Sequence, residues 1–446
     1  MFRTIFVVVI LAVGWGFALQ SPLYAACLYL WIAYFRPESW AWSDIFSTLN
    51  LSYIAGVYLV IRTLISGTRL RLDWRTALLF VFLAHSLVSS LLGLHPDYSL
   101  SYWREFSKTI IVSYVLTLLI QTPADLRLIF TVIVASLGFE AGKQGWAQMV
   151  LNPGAPNLNA VPFLGDNNLV AVGMAMLLPM VTALGATATG WQKRGFQFLS
   201  IGVLYRALST YSRGGFLSIG AVGAIYWWRS PHKLKTGAAV LVATLLVLPV
   251  LPQAFWDRMS TITAPADERD DSQQSRLHFW QVAVAMANDR PWLGVGHKGY
   301  EPAYNQYDWT HGEFMTNRAV HSAWFGVLAD LGYPGLLIFL TVTFSSLFAC
   351  RRVRKWWRRG DLPGPLGHYA IGLETAMVAF MVGGSFVSFH YNEMLWHFFA
   401  LTMALERVAV REMTAQRALK ESQPMTPVQT GSAAPEPDPE PEFAWG

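Results

Sequence analysis

Apolar runs long enough to cross a bilayer, about 17–25 residues each, recur along almost the whole of this chain. That recurrence constrains the fold more than any single motif, because in lipid every backbone N–H and C=O must be satisfied within the protein, and a helix does this locally. The runs fall at roughly 2–19, 20–35, 51–66, 76–94, 106–120, 126–150, 167–189, 195–211, 214–228, 236–252, 320–349, 368–389 and 392–409. They predict an all-α polytopic membrane protein with about 12 (12–13) transmembrane helices. The first two runs are short and separated only by Gln20-Ser21-Pro22, so they could be half-helices of one irregular crossing. Composition agrees: 14% of residues are charged, against about 25% in soluble domains. The N-terminal run continues past Gly14-Trp15-Gly16, which favours a retained first helix over a cleaved signal. Cys27 and Cys350 lie in or beside spans and define no disulfide framework.

One polar excursion, residues 253–320, interrupts this pattern. It divides the chain into N-terminal transmembrane helices (1–252), a large loop with short amphipathic helices (253–320), C-terminal transmembrane helices (321–410) and a Pro- and acid-rich tail (411–446) expected to be disordered. Lys and Arg counts in alternate gaps set the orientation. The gaps at 62–75, 121–127, 192–194, 229–235, 351–359 and 407–420 hold 20 of the 33 basic residues. The gaps at 36–50, 95–108 and 151–168 hold only Arg36, Arg104 and Lys108. The run Arg351–Arg359 is therefore expected in the cytoplasm and the large loop in the periplasm of a bacterial inner membrane. The net charge of +5 is then a topology signal and gives no reason to expect a nucleic-acid partner.

Ionisable residues inside spans are costly and usually face a partner or a cavity. Glu140 and Lys143 are spaced to pair on one helix face. Arg206 and Arg213, seven residues apart, would point the same way on a continuous helix. Arg213 lies in Tyr211-Ser212-Arg213-Gly214-Gly215, where the glycines are expected to break the helix beside a water-filled pocket. Arginine's fork suits phosphate oxygens, so both are candidate anion ligands. Otherwise Arg213 snorkels at a helix end and Arg206 pairs with a carboxylate.

In the loop, a helix over Ser275–Asp289 capped by Ser275 is expected. Leu277, Trp280, Val284 and Ala287 would form its apolar face, suited to a membrane surface. Arg276 would sit in its first turn, a place for a cation only where an anion shares the helix start. Asn288-Asp289-Arg290-Pro291 ends that helix, and the following Gly294-Val295-Gly296 makes no nucleotide motif without a preceding strand. His321 opens the next span, where the helix dipole favours the neutral imidazole a general base needs; the alternative is an interfacial anchor. Asp330, nine residues further and about 13 Å deeper by helical rise, is expected to be structural, held by a partner such as an arginine. His390, Tyr391, Asn392 and Glu393 form a polar island on the same side as the loop. The histidines at 278, 297, 311, 321, 390 and 397 lack the close spacing of a zinc site, and Asp267–Asp271 reads as a solvated acidic run.

Three segments together resemble the O-antigen ligase and polymerase superfamily of bacterial membrane glycosyltransferases. Tyr211–Leu217 is similar to its Ser-Arg-Gly motif; Arg276, Trp280, Ala283, Pro291, Gly294, Gly296 and Tyr300 match a string in its large loop; His321–Leu336 resembles its histidine helix. The resemblance covers roughly 165–340. Ser322 and Asp330 stand where the family commonly has Asn and Glu. Phe35–Trp40 is similar to the exosortase-associated O-glycosylation ligase subgroup. The resemblance implies transfer of a glycan from undecaprenyl-diphosphate to an acceptor hydroxyl, with inversion and with neither metal nor cofactor. Arg213 and Arg276 would hold the diphosphate, with Arg206, Arg290 and Arg318 as further candidates, and His321 would be the base. The acceptor could be lipid A-core, a protein or another glycan, which leaves ligase, protein O-oligosaccharyltransferase and polymerase open. A lipid-linked sugar transporter is the alternative of another class; it should show paired broken helices in matching halves, and the sequence has one asymmetric loop instead.

Overall fold

The computed structural model describes residues 2–41, 46, 48–238, 256 and 271–422. The helices follow the apolar runs: α1 Phe2–Ala18, α2 Pro22–Phe35, α3 Pro37–Trp40, α4 Leu51–Ile65, α5 Trp74–Leu92, α6 Pro96–Leu119, α7 Pro123–Leu151, α8 Asn167–Thr187, α9 Gly190–Leu208 and α10 Arg213–Arg229. After a break in the described residues come α11 Asp271–Asp289, α12 Tyr300–Tyr307, α13 Ala323–Arg358, α14 Leu366–Gly383 and α15 Glu393–Ser422. Among the described residues there is no strand, only an isolated bridge between Val161 and Gly165. Among the described residues four helices, α5, α8, α13 and α14, are long and apolar enough to cross a membrane; α1, α2 and α4 are shorter apolar helices. The described residues thus form an all-helical, multi-pass membrane protein.

Cap chemistry starts many of these helices where the apolar runs begin. Asp73 caps α5 by accepting from the Arg75 and Thr76 amides, and Thr122 caps α7 through the Asp125 amide. Each cap closes a box in which the third helical residue returns a hydrogen bond, satisfying donors that lipid could not. The Glu140–Lys143 pair forms, at 2.6 Å. α1 and α2 pack on one another, so the two N-terminal runs fold back as a pair and are not in-line halves. At the centre, α8 is enclosed from Val170 through Val181 and packs on α9, α10 and α14. The α7–α9 crossing is made of glycines: a Cβ on Gly145 would lie 1.8 Å from the Gly202 carbonyl oxygen, so no larger residue permits this approach.

Several boundaries differ from the sequence expectation. The gap drawn at 95–108 is largely helical, because Pro96 starts α6 and puts Arg104 and Lys108 on it. The loop helix extends back at least to Asp271, leaving Ser275 and Arg276 in its second turn. α15 runs to Ser422, so the tail boundary set at 411 falls within a helix. Most of the span at 236–252 (from 239 on), most of the loop before Asp271, and residues 423–446 lie outside the described residues.

The break in α13 matters most for the site. Gly332 has φ 67° and ψ −171°, which splits the helix into Ala323–Leu331 and a long continuation. The Pro291–Gly296 segment inserts at the break. Val295 and Gly296 donate to the Ala329 and Asp330 carbonyls, and Tyr333 donates to the Pro291 carbonyl. A Cβ on Gly294 would sit 2.4 Å from the Ala329 oxygen. The Gly-x-Gly motif is therefore a close-approach device that satisfies the freed backbone of a broken helix.

Candidate active site

The site begins where α9 stops. Ser209 to Ser212 leave the helix, with Tyr211 left-handed at φ 54°, and the break thus precedes the glycines instead of falling on them. Ser212 caps α10, accepting from the Gly215 amide at 3.3 Å and donating to Asn168 Oδ1 at 2.8 Å. Asn167 Nδ2 donates to the Thr210 carbonyl at 2.6 Å. Asp166 caps α8 by accepting from the Asn168 and Leu169 amides. The first turns of α8 and α10 are therefore stitched side by side. Gly215 permits this, since its Cβ would come within 2.4 Å of Ala171 Cβ. Arg213, half-buried, is the first residue of α10.

His321 stands one residue before the Ser322 cap of α13, in left-handed backbone at φ 49°. The Ala323 amide donates to the Gly384 carbonyl at 2.6 Å, and Trp324 Nε1 to Ser385 Oγ at 3.0 Å. The neighbouring Phe386 lies against Gly214. One turn, Gly384–Phe386, thus braces the starts of both α10 and α13. The Phe279 ring of α11 is 6.3 Å from the His321 ring, and the Arg318 guanidinium lies 5.7 Å over Phe279. Burial, then the charges of Arg276 and Arg318, push the His321 imidazole down to about 4, while Asp166 pulls the other way. Burial and two guanidiniums thus favour the neutral imidazole, besides the helix start expected to do so.

α11 presents Phe279, Val282, Ala283 and Met286 to a small core shared with Val295, Tyr300, Tyr304 and Val320. The expected membrane-facing stripe does not form: Leu277 is 54% exposed, Ala287 is buried, and Trp280 stacks on Phe325. His278 and Asp308 meet at 2.8 Å within the protein. Burial alone would raise the Asp308 carboxyl, yet hydrogen bonds from Thr310, Gly312 and His278 bring it down to about 2. The described part of the loop is therefore a packed subdomain seated on the bundle.

The structure gathers Arg213, Arg276, Arg318 and His321 at this end and spends the other two arginines elsewhere. Arg206 is fully buried and donates to Gln144 Oε1 (2.8 Å), the Asn157 carbonyl (3.4 Å) and the Asn159 carbonyl (2.6 Å). It fastens the 152–165 segment to α7 and α9, and the break at Ser209–Ser212 removes its shared face with Arg213. Arg290 donates to the Leu92 carbonyl at 2.8 Å and so closes the end of α5. Helical rise separates it from Arg276 by about 21 Å.

Asp330 is buried, and its partners differ from the arginine expected. Its carboxylate accepts from the Tyr300 amide at 2.9 Å and the Lys298 amide at 3.2 Å, with His390 Nε2 at 3.7 Å. It thereby holds the turn after Gly296, including Lys298 in left-handed backbone at φ 56°. Two residues missed in the sequence are Asp166, whose Asp-Asn-Asn before an apolar run is a readable cap signal, and Phe279, which no local pattern marks.

Beside the site lie two spaces. A cavity of about 820 Å³ is bounded by α2, α4 and α6 with Lys298 and Glu393; one of about 340 Å³ runs from Arg36, Lys298 and Glu393 to Ala319 and Val320. His390, Tyr391, Asn392 and Glu393, the polar island, line the smaller space.

Residues 198–340, which contain every candidate site residue, match the family model described as O-antigen ligase. Residues 1–168 match a family of unknown function. No curated protein matches the chain. Through that central segment, with its capped Arg213, its loop helix and its His321, the chain is similar to the O-antigen ligase family.

Proposed function

We propose that the protein is a glycosyltransferase of the bacterial inner membrane. It crosses the bilayer about 12 times and transfers a glycan from undecaprenyl-diphosphate to an acceptor hydroxyl on the periplasmic side. The observation that carries this reading is the set of groups around His321. The starts of α8, α10 and α13 lie together, with Arg276 and Arg318 close enough to His321 to depress its basicity. Helix starts and guanidiniums both favour a diphosphate. In the reaction the acceptor oxygen bonds to the anomeric carbon as the bond from that carbon to the diphosphate oxygen breaks. The acceptor proton goes to His321, and the leaving diphosphate takes the electron pair, stabilised by Arg213 and Arg276. Attack opposite the leaving group inverts the anomeric centre.

The low basicity of His321 fits this order of events. The imidazole is neutral near pH 7, ready to accept a proton. A bound diphosphate offsets the two cations that depress it and so raises its basicity when the proton must be taken. His321→Ala should lower transfer by about 10²–10⁴-fold, the usual contribution of a general base, while polyprenyl-diphosphate binding persists. Normal turnover by the purified variant would end the base assignment. Which glycoconjugate disappears in a deletion strain, while polyprenyl-linked glycan accumulates, separates ligase, protein O-oligosaccharyltransferase and polymerase.

A further inference from the structure

The larger cavity lies outside the groups around His321, and its walls come mostly from the segment matching a family of unknown function. Its volume, about 820 Å³, is in the range of ligand sites. Its two ends differ in chemistry. One is polar and aromatic: Tyr102, Glu105, Lys298, Arg36 and Glu393. Lys298 Nζ lies 4.2 Å over the Tyr102 ring, Tyr29 donates to Glu393 at 2.5 Å, and Lys108 pairs with Glu105 at 2.7 Å. The buried Arg36 Nε has no hydrogen-bond partner among the described residues. The other end is aliphatic, with Val57, Val60, Ile61 and Val112 on α4 and α6. Val57 and Ile61 are exposed, so this wall opens sideways to lipid.

Carboxylates and cations alternate at the polar end. Two carboxylates repel a diphosphate, whereas acceptors, donors and ring faces together suit a polyhydroxyl ligand. Arg36, Lys298, Tyr391 and Glu393 line both spaces, and the lining of the smaller one includes Ala319 and Val320, the two residues before His321 in the chain. Both Arg36 and Lys298 occupy left-handed backbone, a conformation retained where surroundings impose it, often at ligand sites. We infer that this cavity receives the acceptor: a lipid-anchored saccharide whose acyl portion lies along α4 and α6. Its sugar reaches His321 through the passage floored by Lys298 and Glu393. The inference rests on the proposed transferase reading for the role of His321, and on the cavity alone for the ligand class.

The test uses the reconstituted full chain with purified lipid A-core as probe. Val57→Trp fills the aliphatic end from a lipid-exposed position, and Tyr102→Ala removes a ring at the polar end. Each should weaken lipid A-core binding at least tenfold in the His321→Ala background, with polyprenyl-diphosphate binding unchanged. In proteins retaining His321, each should raise the acceptor KM and leave the donor KM near wild type. Unchanged lipid A-core affinity in both variants, no lipid A-core binding by the wild type, or a rise confined to the donor KM would each overturn the inference. Cavity-dependent binding without His321-dependent transfer would keep the saccharide site and remove the transferase reading.

Discussion

The two ends of the helical bundle treat charge in opposite ways. At the end where α13 finishes, arginines are matched to carboxylates. Glu374 receives Arg229 at 2.8 Å, Arg354 at 2.7 Å and Arg351 at 3.3 Å; Glu406 receives Arg75 and Arg352; Asp73 receives Arg407. At the His321 end, Asp166 and Asp330 accept instead from backbone amides, and Asp308 from amides, the Thr310 hydroxyl and His278. There Arg318 lies over an aromatic ring, and its buried Nε has no hydrogen-bond partner among the described residues. A guanidinium committed to a carboxylate adds structure; one held against a ring keeps its donors for an incoming anion. The same residue type thus fastens one end and equips the other.

The largest effect should come from breaking the fastened end. Glu374→Gln leaves three guanidiniums around a neutral amide and should cost about 3 kcal/mol of stability. Thermal unfolding in detergent reads this, and the surviving folded protein should keep its donor KM. A donor KM shift without loss of stability would erase the contrast between the ends. At the other end, Arg276→Gln and Arg213→Gln should each weaken polyprenyl-diphosphate binding about 10–100-fold, from a charged hydrogen bond of about 1.5–3 kcal/mol.

A pH profile sharpens the comparison further. In the free enzyme His321 protonates at about 4, so the acid limb of kcat/KM should fall there. Arg276→Gln removes a cation that disfavours the imidazolium, so the limb must move to higher pH. Burial, the larger cause, should keep it below the ordinary histidine value. A limb that stays put, or moves down, would detach Arg276 from the histidine. The smallest effect belongs to Arg290→Gln, which should cost about 1 kcal/mol by freeing the α5 carbonyl and leave donor affinity alone.

Local chemistry made much of this legible in advance. Apolar runs marked most helices because lipid forces helical satisfaction of the backbone, whereas the one cap expected, Ser275, lies inside α11. Arg213 and His321 stood out as ionisable residues at the starts of predicted spans, and Arg276 as a cation in the loop helix. What escaped depended on distant partners. Nothing local tells that Arg206 spends its donors on Gln144, Asn157 and Asn159, or that Asp330 serves the amides after Gly296. The buried side of α11 was misjudged for a related reason. Leu277 fits an apolar stripe by spacing, but the core supplied by Tyr300, Tyr304 and Val320 selects the Phe279 face. The large cavity was invisible because α2, α4, α6 and the Lys298 turn meet only in three dimensions.

The broken helix has a mechanical consequence. Ala323–Leu331 is a short rod between the Gly384–Phe386 turn, which sets its outer end, and the kink at Gly332. His321 adjoins one end, and Asp330, near the other, grips the Lys298 turn. One rod of nine residues thus joins the turn that lines the cavity to the residue that carries the imidazole.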